Sequence, residues 1–94
     1  MNVVWTRPAA RDLELIGDYI ARENPRAADR IVRRIRDRTR DLADYPLLGR
    51  TGRVENTREL VVPTTPFIVV YRVNDDSVEI LAVFHGARRW PESF

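Results

Sequence analysis

Histidine is the side chain whose unperturbed titration falls near neutral pH, and this chain has one, His85. Beside arginines, an imidazole can act on a phosphodiester without a metal. It moves protons while guanidinium groups hold the phosphate oxygens. Three arginines are placed for such work. Arg58 and Arg72 fall on neighbouring predicted strands, and Arg88 follows a third strand. Arg58, Arg72, His85 and Arg88 are therefore a candidate catalytic set, expected to converge on one face of a sheet. A structural role for His85 competes with this one, because a histidine at a strand end before Gly86 commonly bonds a loop.

Two further groups suit binding rather than catalysis. Arg88-Arg89-Trp90 joins charge to an aromatic, and arginine and tryptophan are enriched at the energetic centres of interfaces; these three are candidates for contact with a target. The competing reading has Trp90 folding back to seal the sheet edge. The second group is a basic run. Between positions 22 and 40 eight arginines stand against Glu23, Asp29 and Asp37, an excess of five positive charges in a chain whose net charge is +2. All sixteen basic residues are arginine, whose planar fork suits phosphate and carboxylate. Arg30, Arg33 and Arg34 are the candidates for contact with an acidic partner, either a nucleic acid or an acidic protein segment. Local pairs such as Asp29 to Arg33 would be the plainer explanation.

Other chemistries find little here. There is no cysteine, so disulfides and thiolate metal sites are excluded, and one histidine cannot build a multi-imidazole zinc site. Gly49-Arg50-Thr51-Gly52-Arg53 lacks the spacing and lysine of a phosphate-binding P-loop. Asp75-Asp76 is explained by turn chemistry. No metal and no cofactor is expected.

The elements that must position these residues follow from periodicity. Val3-Val4-Trp5 is a short strand. Thr6 caps a helix with Pro8 in its first turn, and Ala9, Leu13, Ile16 and Ile20 keep helical spacing to about position 22 or 23. Asn24-Pro25 caps and restarts a second helix. Ala28, Ile31, Val32, Ile35 and Leu42 carry it to about Tyr45, and Pro46 ends it. The near absence of a linker forces an antiparallel helical hairpin. After a glycine-containing loop come strands over 57–62, 67–73 and 78–84, separated by Pro63-Thr64-Thr65-Pro66 and by Asn74-Asp75-Asp76-Ser77. The order β-α-α-β-β-β predicts an α+β fold: an antiparallel sheet with the hairpin packed on one face. The other face is expected to be available for a partner. Trp5 and Tyr71 are expected in the core, and Tyr19 and Tyr45 between the helices. Ninety-four residues make one domain, 1–94, and no apolar run reaches the ~18 residues of a membrane span. Without a secretory signal the protein is expected in the cytoplasm.

Several stretches, in this order, resemble one family over nearly the whole chain. They are 5–13 (Trp5-Thr6-Arg7-Pro8 onward), 16–21, 25–29, Tyr45-Pro46-Leu47-Leu48-Gly49-Arg50, Arg58-Glu59-Leu60, Val70-Tyr71-Arg72-Val73 and the closing 83–91. The series is similar to the RelE/ParE toxin superfamily. That resemblance implies a toxin of a type II toxin–antitoxin pair, wrapped and neutralised by an acidic or amphipathic antitoxin, with Arg30, Arg33 and Arg34 as the residues expected to contact it. Operator DNA would be met only through the antitoxin complex. One branch of the superfamily cleaves messenger RNA on the ribosome, and the other blocks DNA gyrase. The ribonuclease branch tends to carry a basic residue where this chain has Phe67-Ile68, and often uses lysines, which this chain lacks. The His-Gly ending of the last strand looks more like the gyrase-directed branch. A relic that only binds antitoxin is the third alternative.

Overall fold

The computed structural model describes residues 1–87 and 90–94. Strand β1 (Asn2–Trp5) leads into helix α1 (Arg7–Ala21), then α2 (Pro25–Arg40), a 3-10 turn over Asp41–Ala43, and strands β2 (Arg50–Thr51), β3 (Arg58–Val61), β4 (Phe67–Val73) and β5 (Ser77–His85). Both helix starts arise as their residues dictate. Thr6 Oγ1 accepts from the Ala9 N–H, and Asn24 Oδ1 accepts from the Ala27 N–H at 3.1 Å. The second helix stops short of the expected Tyr45. Its last turn tightens into the 3-10 turn, which still buries Leu42.

The sheet order is β1-β5-β4-β3-β2. The three long strands form the expected antiparallel meander, but β1 runs parallel to β5. The sheet is therefore mixed, and it gains a two-residue strand, Arg50–Thr51, from what the sequence presents as loop. Thr6 secures the turn from β1 into α1: its N–H and its hydroxyl both donate to the Ile80 carbonyl, at 3.1 and 2.7 Å.

Pairing decides which residues share a face. Residues directly opposite in an antiparallel pair point the same way, and successive residues along a strand point oppositely. Leu60, Val69, Tyr71, Val78, Ile80 and Val83 meet Ala9, Leu13 and Ile35 in the core under the helices. Trp5 packs against this cluster, as expected. Tyr19 and Tyr45 do not pack between the helices; both are exposed, on the flank of α1 and after the 3-10 turn. The far face is not free either. Ile68, Val70 and Ala82 are buried there, and the chain's own Trp90 and Phe94 pack on Phe84, with ring centroids at 5.1 and 6.0 Å.

Leu81 makes a β-bulge, since Val70 faces Ala82 while Tyr71 faces Ile80. Near it, the Val83 N–H donates to Asp12 Oδ2 of α1 at 3.0 Å. A carboxylate that sequence places on the polar side of α1 thus ties helix to sheet. No helix among the described residues is long and apolar enough to cross a membrane.

Candidate functional site

Of the candidate catalytic set, Arg58, Arg72 and His85 do not converge. Arg72 pairs with Glu79 across β4 and β5, Nε to Oε1 at 2.9 Å, on the face away from the helices. Glu79 also accepts from Asn74 Nδ2 at 2.6 Å. The Arg72 and Asn74 bonds outweigh a small desolvation effect and hold its carboxyl below the usual range. Arg58 and His85 point to the other face, because they sit opposite Tyr71 and Phe67. They are nonetheless far apart. Those two positions are four residue steps apart on β4, ~13 Å along the strand, and β3 and β5 lie two strand spacings apart, ~9.6 Å. One phosphate cannot touch both. Each is also committed locally. Arg58 Nη1 donates to the Gly49 carbonyl at 2.9 Å. His85 Nδ1 accepts from the Ala87 N–H at 3.1 Å, and its ring stands edge-on to Phe67 at 5.8 Å. The expectation that the four converge is therefore corrected for Arg58, Arg72 and His85. The reason is the period-two alternation that turns Arg72 away from Tyr71. Arg88, together with Arg89, lies outside the described residues.

Trp90 packs against the chain itself. Its ring lies on Phe84, and the Arg53 guanidinium covers it at 3.7 Å from the centroid. Arg53 is held in turn by Glu59, a carboxylate that is only 2% exposed. Glu59 accepts from the Arg53 backbone N–H at 2.7 Å, from Arg53 Nε and Nη2 at 3.2 Å each, and from Arg50 Nη2 at 3.0 Å. Burial alone would raise its pKa. The bonds from Arg53 and Arg50, with the Arg53 charge, outweigh burial and bring the carboxyl below its usual range. Sequence reasoning passed over Glu59. The available signal was an acid on a predicted strand, six residues after Arg53 and nine after Arg50.

A second network explains the Tyr45-Pro46-Leu47-Leu48-Gly49-Arg50 stretch. The fully buried Tyr71 donates its hydroxyl to the Pro46 carbonyl and accepts from the Gly49 N–H, both at 2.8 Å. Burial raises the Tyr71 pKa against the smaller opposing pull of Gly49 and Arg58. Gly49 is required by space: a Cβ there would stand 2.7 Å from the Tyr71 ring and 2.8 Å from the Glu59 carbonyl.

The helical hairpin carries a broad concavity. A groove of about 870 Å³ runs between α1, α2 and β1, floored by Val3, Trp5, Leu13 and Val32 and rimmed by Asp18 and Arg36. None of Arg30, Arg33 and Arg34 lines this groove, whereas Arg36 and Arg40 do. Arg34 donates to Thr64 Oγ1 at 2.6 Å and so braces the β3–β4 turn, where Thr64 holds a left-handed φ of 64°. The plainer Asp29–Arg33 pair does not form. The ion pairs on α2 are Arg38–Asp41 and Arg40–Asp37.

A helical hairpin packed on one face of a small mixed sheet, with arginine-rich surfaces, is the arrangement that the likeness to a toxin superfamily implies. Comparison with known proteins agrees. The family model for the ParE toxin of the type II toxin–antitoxin system parDE matches residues 3–90. Y4kP, a provisionally assigned toxin of Sinorhizobium fredii (strain NBRC 101917 / NGR234), is 48% identical over 91 residues, covering 97% of this chain and 94% of that protein. Toxin RelE2 of Caulobacter vibrioides (strain ATCC 19089 / CIP 103742 / CB 15) is 42% identical over 87 residues, covering 93% and 97%. A solved chain of the chromosomal ParDE toxin–antitoxin system from P. aeruginosa superposes with a TM-score of 0.81 at 31% identity, covering 90% of this chain and 95% of that one. The chain belongs to the ParE toxin family of type II toxin–antitoxin systems, within the RelE/ParE superfamily.

Proposed function

We propose that this toxin acts by inhibiting DNA gyrase and is neutralised by a cognate antitoxin. The observation that carries the reading is the separation of Arg58, Arg72 and His85. Metal-free cleavage of RNA needs its acid, base and phosphate-binding cations around one phosphate. These side chains lie on two faces and at opposite ends of the sheet. The match to the ParE model over 3–90 supports the same branch. Arg88 and Arg89 are the residues proposed to contact gyrase. Trp90 anchors the chain directly after them, on Phe84 and beneath Arg53.

The antitoxin is proposed to lay an amphipathic segment into the groove between α1, α2 and β1, with apolar side chains on Val3, Trp5 and Val32 and carboxylates toward Arg36 and Arg40. Purified toxin is expected to inhibit gyrase supercoiling at micromolar concentration and to leave messenger RNA intact in a ribosome-containing translation reaction. Message cleavage without an effect on supercoiling would establish the ribonuclease reading instead. Inertness in both assays would mark a relic.

A further inference from the structure

The outward face of α2 lies apart from the groove, the sheet and the C-terminal segment. We propose that it binds the phosphate backbone of duplex DNA through Arg26, Arg30 and Arg33. Helix α2 buries Ala28, Ile35 and Thr39. At 3.6 residues per turn, Arg26, Arg30 and Arg33 all fall within about 40° of the line diametrically opposite Ile35. They point straight away from the core, and all three are exposed. Their spacings, four residues and then three, correspond to rises of about 6 and 4.5 Å along the axis. This makes a straight row of charges.

The row is also unpaired. Arg34, Arg38 and Arg40 are bonded to Thr64, Asp41 and Asp37. Among the described residues Arg26, Arg30 and Arg33 meet neither a carboxylate nor a hydrogen-bond acceptor. Of the acids on the helix surface, Asp29 helps to line the groove, and Asp37, which shares the outward face four residues after Arg33, is bonded to Arg40.

The composition of the face selects the partner class. It contains no apolar side chain, so a protein segment laid on it would bury nothing that drives association. Each exposed arginine–carboxylate contact contributes little, because solvent screens it. A polyanion binds differently, because each neutralised phosphate releases condensed counterions and no apolar burial is needed. The face also lacks the aromatic side chains on which single strands stack, which favours a duplex. The choice of DNA over an RNA duplex rests on the proposed gyrase target, which holds duplex DNA. The binding itself is measured without gyrase, so the two readings fail separately.

The test is fluorescence anisotropy of a labelled 20-base-pair DNA duplex with the full chain, repeated over a range of salt. Three phosphate contacts give a slope of log Kobs against log salt of about −2.7, and roughly 40-fold weaker binding between 50 and 200 mM. The double variant Arg30→Gln/Arg33→Gln is expected to make the slope shallower by about 1.8. The variant Arg7→Gln/Arg11→Gln removes the same net charge from α1 and should leave the slope unchanged. Both variants alter exposed side chains, and circular dichroism melting verifies that each folds. The proposal is overturned if no saturable binding occurs below about 100 µM at low salt, or if both variants lose binding equally. It is also overturned if a polyglutamate of matched charge binds more tightly than DNA, or if an RNA duplex of equal length does.

Discussion

Replacing Glu59 by glutamine keeps the shape of a buried side chain and removes its charge. In the native protein that carboxylate gathers four bonds, three from Arg53 and one from Arg50. The two arginines are 45% and 57% exposed, so their ion pairs are screened and contribute little. The bond from the Arg53 backbone N–H, at 2.7 Å, joins a charged acceptor that is almost wholly buried. Loss of charge assistance there, together with one amide hydrogen now facing a guanidinium, costs about 2 kcal/mol at pH 7. For a domain of this length that lowers Tm by roughly 8–16 °C. Because the folded pKa of Glu59 is depressed, its contribution is fully present above the unfolded value of about 4.3 and disappears as pH falls through the folded value. The Tm gap between the two proteins should therefore narrow as pH falls from 7 to 3, because protonation of Glu59 removes the charge that glutamine lacks. Trp90 fluorescence should report the same loosening, since Arg53 bridges the carboxylate and the indole. A Tm gap that is equally large at pH 3 and pH 7, or smaller than a degree at both, would falsify the account of Glu59 as an ionised anchor.

Other outcomes follow from the same geometry. Tyr71→Phe deletes two buried bonds and strands the Gly49 N–H, and urea unfolding should show a loss of about 2–3 kcal/mol. Gly49→Ala forces a methyl against the Tyr71 ring and the Glu59 carbonyl, and should cost more than about 2 kcal/mol, with strong non-additivity in the double variant Gly49→Ala/Tyr71→Phe. Thr6→Val removes both the helix cap and the bond to Ile80, for a loss of about 1–2 kcal/mol in the same assay. Under the proposed mechanism, His85→Ala and Arg72→Ala keep toxicity within about tenfold of the parent in a growth assay, whereas an essential general base or phosphate-holding arginine would cost 100-fold or more.

Much of the fold was legible from local rules. Thr6 and Asn24 announce helix starts, because each oxygen reaches an N–H three residues on. Phe67–Val73 is apolar enough to mark a central strand, and it occupies that place in the sheet. The candidate site was less legible. Placing Arg58, Arg72 and His85 on neighbouring strands requires only element order. Deciding whether they share a face requires pairing register, and a one-residue difference reverses the outcome. The same limit applied to Trp90, whose choice between a target and its own sheet depended on Phe84 and Arg53, partners distant in sequence.

The sequence by itself determined the helical hairpin, the meander, the arginine-rich character of α2 and the likeness to a toxin superfamily. The first three rest on periodicity, capping and composition, which act over a few residues, and the likeness rests on a series of motifs met in order along the chain. Only the tertiary structure decided that β1 joins β5 in parallel, that Glu59 binds Arg50 and Arg53, that Tyr71 clasps the loop at Gly49, and that Arg58, Arg72 and His85 are dispersed. Those outcomes depend on register and on contacts between elements. Burial sets them by making an unpaired carboxylate or amide too costly to leave alone.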